Sequence, residues 1–203
     1  MSLEPWLWLI AGPNGAGKST LAEGEFSDLP NINPDVEARR FNPRQPGLAA
    51  LSGGRSAIAA AENALIHGES FTLETTLSGR WHFRLVARAR GAGWRIGLAY
   101  VGITDPERAL LRVRERYRRG GHNVPQGDVE RRYHRSLSNL PAVLLRSDVA
   151  TIYDNSLESG YRQVLHTRER EIIYLASDLP GWLKRSLRGI RLVVGSRIGD
   201  PRH

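Results

Sequence analysis

The sequence predicts an α/β fold, a mostly parallel sheet flanked by helices, over one continuous unit of 203 residues. Two patterns carry that expectation. Short apolar runs of strand length alternate with longer helix-like stretches, the order that crossover helices between parallel strands require. The first of those runs also opens directly into a glycine-rich turn, as happens where a buried strand hands the chain to a helix. A composition of 40% hydrophobic and 25% charged residues, without repeats or low-complexity segments, suits a single globular core.

Taken in order, Trp6 to Ala11 reads WLWLIA, and so unbroken an apolar run fits a central strand buried on both faces. Further strands are predicted at Phe71 to Glu74, Trp94 to Val101 and Val149 to Tyr153. Helices are expected at Leu48 to His67, which is rich in alanine, and at Arg80 to Arg90, Asp105 to Arg119 and Asp128 to Leu145. Towards the C-terminus, Tyr161 to His166 and Glu171 to Leu175 suit a hairpin appended to the sheet, and Pro180-Gly181-Trp182-Leu183 opens a short helix. Beyond Arg188 a surface arm is expected, with Ile190 to Val194 a candidate edge strand.

Composition also narrows the function classes. No apolar run approaches the roughly 18 residues that cross a bilayer, and no basic segment leads an apolar stretch at the N-terminus. Membrane insertion and secretion are therefore not expected, and a cytoplasmic location is. Without cysteine there is no disulfide, thiolate metal site or cysteine nucleophile. With 29 Lys and Arg against 21 Asp and Glu, the net charge of +8 permits nucleic-acid binding. Only Lys18 and Lys184 are lysines, however, and the arginine fork that makes up the rest pairs with phosphate of any kind, polymeric or small.

The strongest signal is Gly12-Pro13-Asn14-Gly15-Ala16-Gly17-Lys18-Ser19, a complete G-x-x-x-x-G-K-[ST] run placed after the first strand and before a helix-like segment. Glycines let the backbone curl so that successive N–H groups point into one cavity, and the following helix N-terminus adds partial positive charge. Lys18 then reaches the β- and γ-phosphates, Ser19 ligates Mg²⁺, and these residues with Thr20 form the expected cradle for ATP or GTP.

Candidates for the second substrate lie further on. Asp35, in Asn33-Pro34-Asp35 after a turn-rich stretch, either accepts the proton of an attacking hydroxyl or caps the helix that follows. Glu74 ends an apolar strand, where open parallel sheets hold ligands. It suits binding of substrate hydroxyls or of a water on Mg²⁺, with Thr75 and Thr76 adding hydrogen bonds; the plainer alternative is contact with water or Arg80. The turn Asp154-Asn155-Ser156, after the last parallel strand, is a candidate base-binding loop.

Arginine clusters at positions 108, 112, 114, 116, 118, 119, 131, 132 and 135, on two helices that still carry apolar faces. Gly120-Gly121-His122-Asn123-Val124-Pro125 breaks the two helices apart and gives a lid its joints. Arg116, Arg131 and Arg132 are the candidates for a charge-stabilising finger, whereas His122 has no second His or Cys at ligand spacing and is not expected to bind metal.

These motifs together resemble the zeta toxin family of P-loop kinases, in the branch of short stand-alone bacterial proteins. The resemblance runs over about residues 6 to 155 and rests on Gly12 to Thr20, Asn33-Pro34-Asp35, Leu73 to Gly79 and Arg116 to Leu140. It implies a P-loop NTPase fold, and the residues themselves give a helical, arginine-rich lid at about 105–146, in one domain over 1–203 with a C-terminal appendage at about 157–203. It further implies transfer of the γ-phosphate of ATP, with Mg²⁺, to a hydroxyl of a small molecule, such as the sugar nucleotide UDP-N-acetylglucosamine. By position Lys18 matches the P-loop lysine, Asp35 the base and Glu74 a substrate-contacting acid, while Arg116 with Arg131 or Arg132 matches the lid arginines. An antitoxin is the partner such a family suggests, although the sequence itself reveals none. Two rivals remain, a polynucleotide 5′-hydroxyl kinase and a nucleotide-gated nucleic-acid-binding ATPase module. Both rank lower because no basic patch is interleaved with aromatics of the stacking kind.

Overall fold

The computed structural model describes residues 4–119 and 124–194. In chain order the elements are β1 (Trp6–Ala11), α1 (Lys18–Glu25), β2 (Asn31–Ile32), α2 (Pro34–Phe41), a 3₁₀ turn at Pro46–Ala49, and α3 (Ala50–His67). There follow β3 (Phe71–Thr75), α4 (Trp81–Gly91), β4 (Arg95–Gly102), α5 (Pro106–Arg118), α6 (Gln126–Leu144), β5 (Val149–Asp154), β6 (Arg162–Arg168), β7 (Glu171–Leu175), α7 (Gly181–Ser186) and β8 (Val193–Val194).

The eight strands form one sheet in the order β2-β3-β1-β4-β5-β6-β7-β8. The first five are parallel; β6 and β7 run antiparallel as the expected hairpin, and β8 adds a short parallel edge. The chain leaves β1 towards β3 on one side and returns to β4 on the other. The reversal of strand order beside β1 opens a crevice at the carboxyl ends of the strands, where ligands of such sheets bind.

Alternation along the strands assigns their side chains to two cores. Leu7, Leu9, Leu73, Ile96 and Leu98 pack with α3, α4, α7 and the second half of α6, whereas Ile10, Ala99 and Val101 pack with α1, α5 and the first half of α6. Helix α6 thus serves both layers. At its changeover the buried Tyr100 hydroxyl and Ser136 Oγ share a 2.9 Å hydrogen bond, and burial raises the tyrosine pKa. Pro141 lies inside α6, leaving the Leu137 carbonyl without its helical donor. Ser186 Oγ of α7 supplies one at 2.7 Å, so the appendage repairs the proline defect.

The predicted strands and helices stand where the sequence places them, with ends shifted by one or two residues, except that the candidate edge strand is confined to Val193–Val194. The Gly120 to Asn123 part of the expected lid joint lies outside the described residues; Val124 is buried, and Pro125 precedes the first turn of α6. Among the described residues no helix is long and apolar enough to cross a membrane.

Candidate active site

The glycine-rich loop follows β1 directly and sits in the crevice beside β4. Gly15 takes φ +75° with its Cα against the backbone of α5, where a Cβ would lie 2.5 Å from the Ala109 carbonyl oxygen. Gly17 takes φ +104°, and a Cβ there would meet Asn155 Nδ2 at 2.6 Å and the Tyr161 hydroxyl at 2.7 Å. Both positions therefore need glycine twice over, for the backbone angle and for space. Asn155 Nδ2 donates to Ala16 O at 2.8 Å and the Tyr161 hydroxyl to Gly17 O at 2.6 Å, so the segment after β5 grips the loop from behind.

Removing one of these bonds, as in Tyr161→Phe or Asn155→Ala, is expected to weaken ATP binding about 2- to 10-fold, the worth of one net hydrogen bond. A titration of ATP affinity checks it; unchanged affinity in both variants would show that the loop holds its shape unaided.

Lys18 is the first residue of α1, and its Nζ donates to the Pro13 carbonyl at 3.0 Å across the curl of the loop. The residue keeps some exposed surface, but the ammonium itself is enclosed. Burial lowers its pKa to about 8, opposed by the carboxylates of Glu74 and Asp35 and assisted by Arg116 and Arg132. The folded-state value lies below the free value of 10.5, so the charged form is intact below about pH 8 and is lost as pH rises through it. ATP affinity is expected to fall about tenfold between pH 7 and 9, with proton uptake on binding near pH 8. Calorimetry in two buffers of different ionisation enthalpy measures both. A flat affinity over this range would mean that the ammonium keeps its ordinary pKa.

Ser19 Oγ donates to Glu74 Oε2 at 2.8 Å, and Asn31 Nδ2 donates to Oε1 at 2.9 Å. Glu74 is buried at the end of β3 and turned onto the phosphate loop, not towards Arg80. The strand runs on through a constrained turn. Leu77, buried and not glycine, takes φ +57°, which costs on the order of 1–3 kcal/mol. Its N–H donates to Thr75 Oγ1 at 3.0 Å, and its carbonyl accepts from Asn139 Nδ2 of α6 at 2.7 Å. This turn aims Thr76 and Ser78 into the cavity, their hydroxyls 2.8 Å apart.

Asp35 is not the helix cap. Asn33 occupies that position and its Oδ1 accepts from the Asp35 N–H at 2.9 Å, with Pro34 in the first turn as φ-fixed residues prefer. The Asp35 carboxylate is left facing the cavity near Lys18.

One cavity of about 490 Å³ joins these parts; it is lined by the phosphate loop, Asp35, Glu74, Thr75, Thr76, and three arginines of the lid helices, Arg112, Arg116 and Arg132. Arg131 does not line it. It pairs with Asp128 at 2.9 Å on the outer side of α6, with its side chain 53% exposed. Arg112 is not among the finger candidates that the sequence suggests, although its spacing of four from Arg116 places both on one helix face. Arg116 Nε and Nη2 and Asn14 Oδ1 are buried without hydrogen-bond partners. Buried polar atoms without a partner are uncommon, and these three belong to side chains that line the cavity.

The turn Asp154-Asn155-Ser156 makes several contacts within the protein. Asp154 is buried and accepts from Ser156 Oγ and, at 3.0 Å, from Trp182 Nε1, with Arg162 Nη2 3.6 Å away. Of the three residues only Asn155 reaches the phosphate loop, because Asp154 anchors α7 to the sheet. Among the described residues no cluster of three or more His, Asp or Glu stands ready to hold a metal.

No family model matches the chain. It is 35% identical over 123 residues to an uncharacterized protein of Haemophilus influenzae, an overlap of 60% of this chain and 88% of that protein. A crystal structure of AvrRxo1-ORF1:-ORF2 with ATP superposes with a TM-score of 0.68 at 16% identity. That overlap takes in 83% of this chain, which spans only 60% of the length of the chain it matches. A structure from the PezAT chromosomal toxin-antitoxin system of Streptococcus pneumoniae gives a TM-score of 0.64 at 16% identity, over 93% of this chain and 80% of that one. The chain belongs to one family with the Haemophilus influenzae protein, and its fold is shared with the AvrRxo1 and PezAT structures.

Proposed function

We propose that the protein is a phosphotransferase that uses a nucleoside triphosphate, with Mg²⁺, to phosphorylate a hydroxyl of a small molecule. The observation that supports this most is a single cavity in which an uncommitted carboxylate, Asp35, faces a phosphate loop and three arginines. ATP is the favoured donor because the AvrRxo1 structure that this chain resembles contains it.

The residues fit such a donor. The loop amides and Lys18 would hold the phosphates, the Ser19 hydroxyl would ligate Mg²⁺, and Glu74, already bonded to Ser19, would hold a metal-bound water. Mg²⁺, when bound, supplies neutralisation of charge on the phosphate oxygens. Asp35 takes the proton of the acceptor hydroxyl as the oxygen attacks. Arg116 brings unpaired N–H groups to the charge that spreads over the transferring group, and Arg132, tethered 3.7 Å from Asp128, adds a second cation. Helices α5 and α6 act as the lid over about 105–146, and the appendage from about 157 stiffens the phosphate loop through Tyr161. A protein antitoxin is the partner to test first, by likeness to the PezAT system.

Incubation with Mg²⁺ and γ-labelled ATP tests the reading, with small-molecule acceptors, among them UDP-N-acetylglucosamine, set beside a 5′-hydroxyl oligonucleotide. Label on a small molecule is expected. Label on the oligonucleotide alone would replace the small-molecule reading with a polynucleotide kinase.

A further inference from the structure

We propose that Asn139 of α6 is a positioning residue for phosphoryl transfer: it holds the turn after β3 in the left-handed conformation that presents the Thr76 and Ser78 hydroxyls to the cavity. The proposal rests on the phosphotransferase reading and adds to it a residue that does not itself line the cavity.

Beyond Thr75 the chain meets two demands at once. Leu77 is fully buried in the core that packs α3, α4 and α7, while Thr76 and Ser78 on either side of it line the cavity. In a continuing strand, residues two apart would be separated by about 6.6 Å along the chain. Here the hydroxyls of Thr76 and Ser78 meet at 2.8 Å. The reversal at Leu77, with φ +57°, closes that gap and makes one hydrogen-bonding pair of two side chains that a strand would hold apart.

A leucine avoids this conformation because its Cβ crowds the backbone, and it stays there only where the surroundings over-determine it. Glycine would free the backbone but leave the core site unfilled, so leucine needs a brace. Its side chain is held by the core, its N–H by Thr75 Oγ1 at 3.0 Å, and its carbonyl by Asn139 Nδ2 at 2.7 Å. The first two restraints belong to β3 and the core beneath it. The third comes from a helix, 62 positions further along the chain.

That helix is well fixed for the task. Asn139 stands one turn after Ser136, whose Oγ is bonded to Tyr100 of β4, and two turns after Arg132, which lines the cavity. Spacings of four and three put these polar residues on one stripe of α6. The helix thereby sets a lid arginine and the turn hydroxyls in one frame, with the buried bond to β4 between them. Asparagine also has the chemistry that the position needs, because a carbonyl requires a donor, and an aspartate of the same shape offers only acceptors.

The test compares the full chain with Asn139→Ala, and repeats that change in a Thr76→Val/Ser78→Ala background. Each protein receives γ-labelled ATP, Mg²⁺ and a limiting amount of an ultrafiltered bacterial small-molecule extract. Asn139→Ala is expected to slow formation of labelled product about 10- to 100-fold, the cost of misplacing groups beside the reacting atoms. Its melting temperature should fall by only about 2–4 °C, as the loss of one hydrogen bond implies. In the background without the two hydroxyls the same change should slow product less than about twofold, because the groups it positions are gone. Ser78→Ala alone serves as the background if the pair takes product below detection. Amide exchange gives a reading that needs no acceptor: the Leu77 amide should exchange about tenfold faster in Asn139→Ala, while those of Phe71 to Glu74 and of α6 keep their rates. Slowing of equal size in both backgrounds would make Asn139 a general support of the fold and overturn the proposal, as would unchanged exchange at Leu77. Equal product from the parent and Asn139→Ala overturns it as well and leaves the phosphotransferase standing. Product from neither removes the phosphotransferase reading and this proposal with it.

Discussion

Asp35→Asn is expected to lower kcat by about 10²- to 10⁴-fold while ATP affinity stays within about twofold. The substitution keeps the shape and removes only the capacity to take a proton. The helix is secured independently, since Asn33 accepts from the backbone N–H of Asp35, and the substitution leaves that N–H in place. Thermal stability should therefore be little changed, which separates this result from a general loss of fold. One further effect follows from Lys18, whose ammonium Asp35 helps to keep charged. Loss of that carboxylate should lower the pKa of Lys18 further, so the weakening of ATP binding at high pH should begin earlier in the variant. Comparing kcat and ATP affinity across pH 6–9 in both proteins measures this. Near-normal turnover in Asp35→Asn would remove the residue from the reaction.

Arg116→Ala is expected to cost on the order of 10³-fold or more in kcat, with a smaller effect on ATP affinity in the ground state. Its guanidinium enters the cavity with two N–H groups buried and unpartnered, a costly arrangement for the protein alone. The cost is recovered only when an anion reaches those groups. The unliganded variant should therefore melt no lower than the parent, while the stabilisation conferred by ATP with Mg²⁺ should shrink. Lysine at this position should rescue little, because a point charge cannot reproduce the planar fork. A defect confined to KM for ATP would make Arg116 a binding residue with no share in the chemical step.

Much of this architecture is legible in the sequence, because the physics that sets it is local. The strands β1, β3, β4 and β5 are short, largely apolar runs, β3 and β4 buried on both faces, and the phosphate loop is a contiguous motif. That Asp35 is not the helix cap is also legible, since proline in Asn33-Pro34-Asp35 marks the first helical turn and so makes Asn33 the cap. Strand β2 was not, because two residues carry no period. Separating Arg132 from Arg131 required the rotation of α6, which is fixed by the burial of Val129, Tyr133 and Ser136. The grip of Asn155 and Tyr161 on the loop joins residues more than a hundred positions apart, and no short pattern records it. The inward turn of Asp154 depends likewise on Trp182 from the appendage.

The central claim is that Asp35 and the phosphate loop act together in transferring a phosphoryl group to a hydroxyl. The most direct measurement follows label from γ-labelled ATP in parallel reactions of the parent protein and Asp35→Asn, each with a bacterial small-molecule extract, with ATP binding measured on both. A labelled product other than nucleotide or free phosphate is expected from the parent, with its loss in the variant and near-equal ATP binding. Label that remains in ATP and free phosphate in both reactions, with no difference between the two proteins, would contradict it.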